Sequence, residues 1–196
     1  MKKLSLTLIA ALCSYSAFSQ LSLWNFNYQV SVPLGETSDF IGKSSFRGAA
    51  VEGRGMITDN ISLGGWFSWE VFYEKLDKAT YSREGIDING VQVRYLNVIP
   101  LLVNGHYYFG DFSSVTPYAG LGTGAYKIEE RREMGLVAVV ENNWHFGFTP
   151  EFGAYIPVSP DMGLNVSARY NYALKSKDTI NYSYLSLNLG LAFLGW

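Results

Sequence analysis

The stretch that decides the fold is the last strand-like run, Tyr184–Trp196, which reads "YLSLNLGLAFLGW". Successive side chains of a strand point to opposite faces. Leu185, Leu187, Leu189, Leu191 and Phe193 therefore share one face, and Ser186, Asn188, Gly190 and Ala192 share the other. The run ends on an aromatic residue with no polar tail. In water the apolar face of such a sheet turns inward, whereas in a bilayer it turns outward to hydrocarbon. The fold depends on which solvent this strand meets.

The same period of two recurs along the chain. "LWNFNYQVSVP" sets Trp24, Phe26, Tyr28, Val30 and Val32 against Asn25, Asn27, Gln29 and Ser31. "FRGAAVEGRGMI" is weaker and sets Ala49, Val51, Gly53, Gly55 and Ile57 against Glu52, Arg54 and Met56. "ISLGGWFSWEVFY" opposes Leu63, Phe67, Trp69, Val71 and Tyr73 to Ser62, Gly64, Trp66, Ser68 and Glu70. In "VQVRYLNVIPLLVNGHYYFG", Val93, Tyr95, Ile99, Leu101, Val103, Tyr107 and Phe109 oppose Arg94, Pro100, Leu102, Asn104 and His106. Pro100 removes a ladder donor, so a bulge or bend is expected there. "PYAGLGTGAYKI" carries Gly120, Gly122 and Gly124 on one face, and its pattern leaves open which face points outward. "NWHFGFTPEFGAYIP" and "LNVSARYNYA" set Trp144, Phe146, Phe148, Phe152, Leu164, Val166 and Tyr170 against His145, Thr149, Glu151, Asn165, Ser167, Arg169 and Asn171. Eight strands result. Long polar connections follow residues 32, 73, 128 and 172, and short ones follow 57, 110 and 157.

The 196-residue chain starts with "MKKLSLTLIAALCSYSAFSQ". Two lysines, an apolar core and small residues at Ala17 and Ser19 read as a secretory signal peptide over 1–19, with the mature chain from Gln20. Leu12 precedes Cys13 where a lipid anchor would want a small residue. With Cys13 in the leader, disulfides and thiolate metal sites are excluded from the mature chain. The mature chain keeps 13 basic against 17 acidic side chains, which is no footprint for nucleic acid. Phe, Tyr and Trp number 12, 14 and 5, and there are 20 glycines, a composition suited to strands and tight turns.

The polar faces separate the solvents. A soluble barrel or sandwich would bury Trp24, Phe26 and Trp69 and expose the polar faces, which would then carry many charges. Mid-strand charges are few: Glu52, Glu70 and Glu151 against Arg54, Arg94 and Arg169. Small polar side chains and balanced charges suit a narrow lumen. Aromatic residues near strand ends suit headgroup belts. Because every backbone group in lipid needs a partner, the sheet closes. The reading is all-β: an eight-stranded antiparallel up-and-down transmembrane β-barrel with short periplasmic turns and longer extracellular loops, occupying residues 20–196.

On "SAFSQ", "IPLLVNGHYYFG" running into "PYAGLGTGAY", "FGFTPEFGAYIPVS" and the terminal "LNLGLAFLGW", the chain resembles the small outer-membrane β-barrel proteins of the outer membrane protein A-like and opacity-protein-like superfamily, in the form common in Bacteroidetes. The resemblance implies an eight-stranded meander in the cell outer membrane, both termini in the periplasm, and long loops outside the cell. It also implies the barrel assembly machinery, outer-membrane lipid and lipopolysaccharide as partners. Family members often end on Phe, and this chain ends on Trp196, off the parity of Phe193.

The function read from the residues is structural or surface-interacting, with the charged loops 74–90 and 127–142 available to an extracellular ligand. Eight strands enclose a lumen that side chains fill, and Phe46, Trp66 and Tyr108 are candidates to point into it. Two alternatives stand beside this reading. One is a lipid-modifying enzyme of the lipid A deacylase or acyltransferase type, for which His145 with Glu141 or Glu151 is the sharpest pairing. His106, near Asn104 and Tyr108, is the other histidine. No serine at a telling spacing supports a triad, so no catalytic, cofactor-binding or metal-binding set is assigned. The other alternative is a narrow small-solute channel. Gly120, Gly122 and Gly124 are no phosphate loop, because Lys and a following helix are missing; they make space for a neighbour or a bend.

Overall fold

The alternation closes on itself. In a computed structural model the chain forms a barrel whose strand order is the sequence order. The structure describes residues 21–83, 86–134, 137–176 and 179–195, with side chains for all of these except 78–83, 86–89 and 137. The leader at 1–19 and Trp196 lie outside the described residues. The strands are β1 (Ser22–Leu34), β2 (Ser45–Met56), β3 (Ile61–Arg83), β4 (Ile86–Tyr108), β5 (Thr116–Met134), β6 (Val137–Ser159), β7 (Met162–Ala173) and β8 (Tyr182–Gly195). A short helix, α1 (Glu36–Phe40), stands between β1 and β2. All neighbours are antiparallel, and β1 closes on β8 from Ser22↔Gly195 to Leu34↔Ser183.

Every clear strand shows the parity expected of a membrane barrel. Trp24, Trp69 and Phe152 are 53%, 57% and 70% exposed on the outer face, while Asn25, Glu52 and Arg169 are buried inside. Tyr118, Gly120, Gly122 and Tyr126 point inward, which settles the facing of β5. Gly120 and Gly122 are needed for close approach: a Cβ there would sit 2.4 Å from the His106 ring and 2.4 Å from Asn104 Oδ1.

Three expectations change. Pro100 brings no bulge: Phe67↔Leu101 and Glu70↔Val98 keep one register across it, and the β4–β5 ladder runs through Pro100↔Tyr126. The missing N–H is met by a gap in the β3–β4 pairing, and the bulge in that pair lies at Leu76/Ala79. Phe46 points outward, 65% exposed. Between Gln29↔Gly48 and Ser31↔Ser45, β2 holds one residue more than β1, and this bulge inverts the parity beyond Gly48.

Residues 74–90 and 127–142 are mostly strand rather than loop. The β3–β4 ladder continues to Arg83↔Ile86, β4–β5 to Gln92↔Met134, and β5–β6 to Met134↔Val137. By contrast β2–β3 pairing stops at Gly48↔Glu70 and β6–β7 pairing at Gly147↔Ala173. Strands β3–β6 therefore rise together past the barrel mouth as a four-stranded sheet. Cross-strand pairs hold it, among them Tyr73 with Tyr95, ring centroids 5.1 Å apart.

Candidate functional site

The centre of the lumen is one buried ion network, and the strand register builds it. His106 of β4, Gly120 of β5, Glu151 of β6 and Arg169 of β7 are successive cross-strand neighbours. Because Gly120 has no side chain, His106 Nε2 reaches Glu151 Oε2 at 3.2 Å. On the other side, Arg169 Nη2 lies 2.8 Å from the same oxygen. Glu52 and Arg54 enter from β2, two residues apart on the inward face, and pair at 2.7 Å.

Each carboxylate is satisfied. Glu52 Oε1 accepts from Asn104 Nδ2 at 2.8 Å, and Oε2 accepts from Asn25 Nδ2 at 3.3 Å. Glu151 Oε1 accepts from the Tyr118 hydroxyl at 2.9 Å. Arg54 donates to the hydroxyls of Tyr108 (2.9 Å) and Tyr118 (3.2 Å). The Arg169 guanidinium lies over the Trp66 ring, 3.4 Å from its centroid. Two guanidinium groups thus balance two carboxylates, with His106 packed between them. Paired in this way, the charges tolerate burial that isolated ions would not.

Glu52, His106 and Glu151 offer three ligand atoms within 4.8 Å of one another. The set does not fit a metal ion. Both carboxylates are already engaged by Arg54 and Arg169, so a cation entering there would face two guanidinium charges. Ser62 Oγ lies 3.3 Å from His106 Nδ1, which completes a chain Ser62–His106–Glu151 with the residue types of a hydrolase triad. Ser62 is fully buried, closed off from the solvent and lipid from which a substrate would come.

The expected pairing of His145 with Glu141 or Glu151 does not form. His145 Nδ1 bonds to the Leu174 carbonyl at 2.9 Å, and its ring packs edge-on against Tyr182 at 5.1 Å. Glu141 is exposed on the outer part of β6, and Glu151 pairs with His106. Alternation along single strands puts Trp66 and Asn165 on inward faces but does not mark them or Tyr118 as partners of the network, because that depends on which strands face each other across the lumen.

Both ends of the lumen are stoppered. Outside, α1 presses Phe40 and Ile41 onto a buried cluster with Phe72, Leu96, Val98, Ile128 and Tyr184. Arg94 and Arg132 each stand over the Phe40 ring, 5.5 and 4.7 Å from its centroid. Arg94 also donates to the Phe40 carbonyl at 2.6 Å. At the periplasmic end Phe112 packs on Tyr108 (4.7 Å) and Tyr155 (5.4 Å), beside Leu23 and Leu194. Asp111, next to it, accepts from Ser113 Oγ and N, which hold its carboxyl below the usual range.

The outer sheet has two edges. That of β3 beyond Val71 carries a bulge and the charges Glu74, Lys75 and Asp77, devices that blunt an edge. That of β6, "VAVVENNW" from Val137 to Trp144, has no proline, lysine or bulge, and β7 does not pair with it.

The family model described as "Outer membrane protein beta-barrel domain" matches residues 5–193. Among solved structures, Neisserial surface protein A superposes with a TM-score of 0.57 at 17% identity, covering 88% of this chain and 96% of that one. The attachment invasion locus protein Ail of Yersinia pestis gives 0.57 at 11% identity, covering 89% and 98%. The same protein in complex with the heparin analogue sucrose octasulfate gives 0.55 at 12%, covering 89% and 98%. At these identities the likeness is one of fold. No curated protein matches the chain.

Proposed function

Since the chain belongs to the outer membrane protein beta-barrel domain family, we propose that it is a sealed outer-membrane barrel whose work is done by the sheet it holds outside the cell. Residues 1–19 serve as its secretory leader, and the mature chain starts at Gln20. Its form is the one common in Bacteroidetes. The barrel assembly machinery inserts it, and lipopolysaccharide surrounds its outer half.

The observation that supports this reading is the open β6 edge above the membrane. It offers a row of backbone donors and acceptors to an extended segment of an extracellular partner. A polyanion is a poor candidate for that partner. Among the described residues, every basic residue except Arg54 and Arg169 lies at the outer end, and so does every acid except Glu52, Glu70, Glu151, Asp59, Asp111 and Asp161, which sets ten basic residues against nine acidic ones there. The heparin analogue held by Ail therefore has no matching basic excess here.

The test compares cells lacking the protein with cells carrying the wild type or Val140→Pro, for attachment to protein-coated surfaces and for detergent resistance. Loss of attachment in the proline variant, with detergent resistance intact, supports the reading. Equal attachment by all three strains, together with steady conductance of the purified barrel in a planar bilayer, replaces it with the channel.

A further inference from the structure

The lipid-facing wall is not uniform. On the outer face of β2 and β3, Gly53, Gly55 and Gly65 leave a groove of about 760 Å³. Trp24 forms one wall, its ring so close over Gly53 that a Cβ there would lie 3.2 Å from it. Phe67, Leu101 and Val103 form the other wall. All four wall residues are exposed on the membrane side. The groove opens toward the periplasmic end, beside Ser22 and Gly195, where the barrel's termini lie.

Directly below it, the turn joining β2 to β3 carries an exposed Asp59. The sequence of that turn and of the other two periplasmic turns, 57–60, 109–115 and 160–161, holds Asp59, Asp111 and Asp161 but no lysine or arginine. Beside the exposed Asp59 carboxylate, a lipid head carrying only negative charge meets repulsion and one carrying an ammonium meets attraction.

We propose that this groove seats one acyl chain of a phospholipid of the periplasmic leaflet, and that Asp59 selects a lipid with an ammonium head over an anionic one. Hydrocarbon gains nothing by leaving other hydrocarbon for an apolar wall, so the preference arises from close packing against the glycine floor and from the charge below it.

The test is native mass spectrometry of the full mature chain, refolded in detergent and titrated with dioleoylphosphatidylethanolamine or dioleoylphosphatidylglycerol. The wild type is expected to retain one phosphatidylethanolamine in preference to phosphatidylglycerol. Gly65→Leu fills the groove without disturbing the wall, since the nearest atom to a Cβ there is the Leu102 carbonyl oxygen at 3.9 Å. This variant is expected to retain roughly fivefold less of either lipid. Asp59→Asn is expected to keep lipid binding and to lose the preference between the two. Heat-modifiable gel migration shows that each variant is folded. Equal retention of the two lipids by the wild type, or unchanged retention by Gly65→Leu, overturns the proposal. So does a dimer that Gly65→Leu abolishes, since the groove would then be an interface between copies of the chain.

Discussion

Replacing Glu151 with glutamine removes one charge from the centre of the lumen and little else. The carboxylate oxygens lie 2.8 Å from Arg169 Nη2 and 3.5 Å from Arg54 Nη2. At an effective dielectric constant near 20 these contacts are worth about 6 and about 5 kcal/mol before desolvation. Desolvating the carboxylate offsets much of that, and what breaks when one partner of a buried network is removed is typically about 3–5 kcal/mol. The glutamine keeps an acceptor for Tyr118, so the loss is expected near the low end, about 3 kcal/mol. It leaves two guanidinium groups with Glu52 as the one carboxylate paired to them, while the buried Glu70 acts on Arg169 from farther off. Adding Arg169→Met restores the balance, because the thioether keeps an apolar contact with Trp66, whose ring now carries the guanidinium at 3.4 Å. Urea unfolding of the barrel refolded into lipid vesicles, followed by tryptophan fluorescence and gel migration, measures both variants. The single variant is expected to lose about 3 kcal/mol and the double variant to recover at least half of it. A single variant costing under about 1 kcal/mol, the range of an exposed pair, would refute the network as a source of stability. So would a double variant as weak as the sum of its parts.

Leu189→Arg on the outer face of β8, where Leu189 is 57% exposed, is expected to cost about 2–4 kcal/mol in the same assay; no cost would mean that this face meets water. Gly120→Ala would set a Cβ 2.4 Å from the His106 ring, so it is expected to displace the imidazole from Glu151 and to destabilise by about 1–3 kcal/mol, with a shift of the His106 resonances by NMR. Phe40→Ala removes the outer stopper that α1 holds against Arg94 and Arg132; amide exchange is expected to quicken in α1 and at Ser183, whose N–H donates to Thr37 Oγ1, while the mid-barrel amides stay protected.

The membrane barrel was legible in the sequence because its rule is local. Each strand declares its outer face by itself, as Trp24, Phe26 and Tyr28 do against Asn25, Asn27 and Gln29. What needed the structure was everything set by a change of solvent or by closure. Above the membrane the outer face no longer has to be apolar, so Glu74 to Asp77 and Lys127 to Glu133 looked like loop although they continue the ladders. Phe46 was misread because one extra residue in β2 reverses parity, and the bulge leaves no mark in composition. The members of the ion network were recognisable as inward charges. That His106 takes Glu151, while His145 takes a backbone carbonyl, follows only from the order of strands around the wall.

A barrel of this kind gains little by exchanging lipid for its own apolar outer face, since hydrocarbon meets hydrocarbon either way. What holds the sheet shut is the cost of an unpaired backbone in lipid, and any eight strands of sufficient length would meet it. The lumen is where this chain specifies one register. A slip of one residue in β6 would send Glu151 and His145 into lipid and bring Phe152 and Trp144 inside. The pairing of Glu151 with Arg169, and of Glu52 with Arg54, would fail at the same moment. The network thus performs the role that an apolar core performs in a water-soluble domain, and the stoppers Phe40 and Phe112 shield its two ends. With the interior committed to that role, the surfaces left to act on other molecules are the lipid-facing wall and the sheet that β3 to β6 carry out of the membrane.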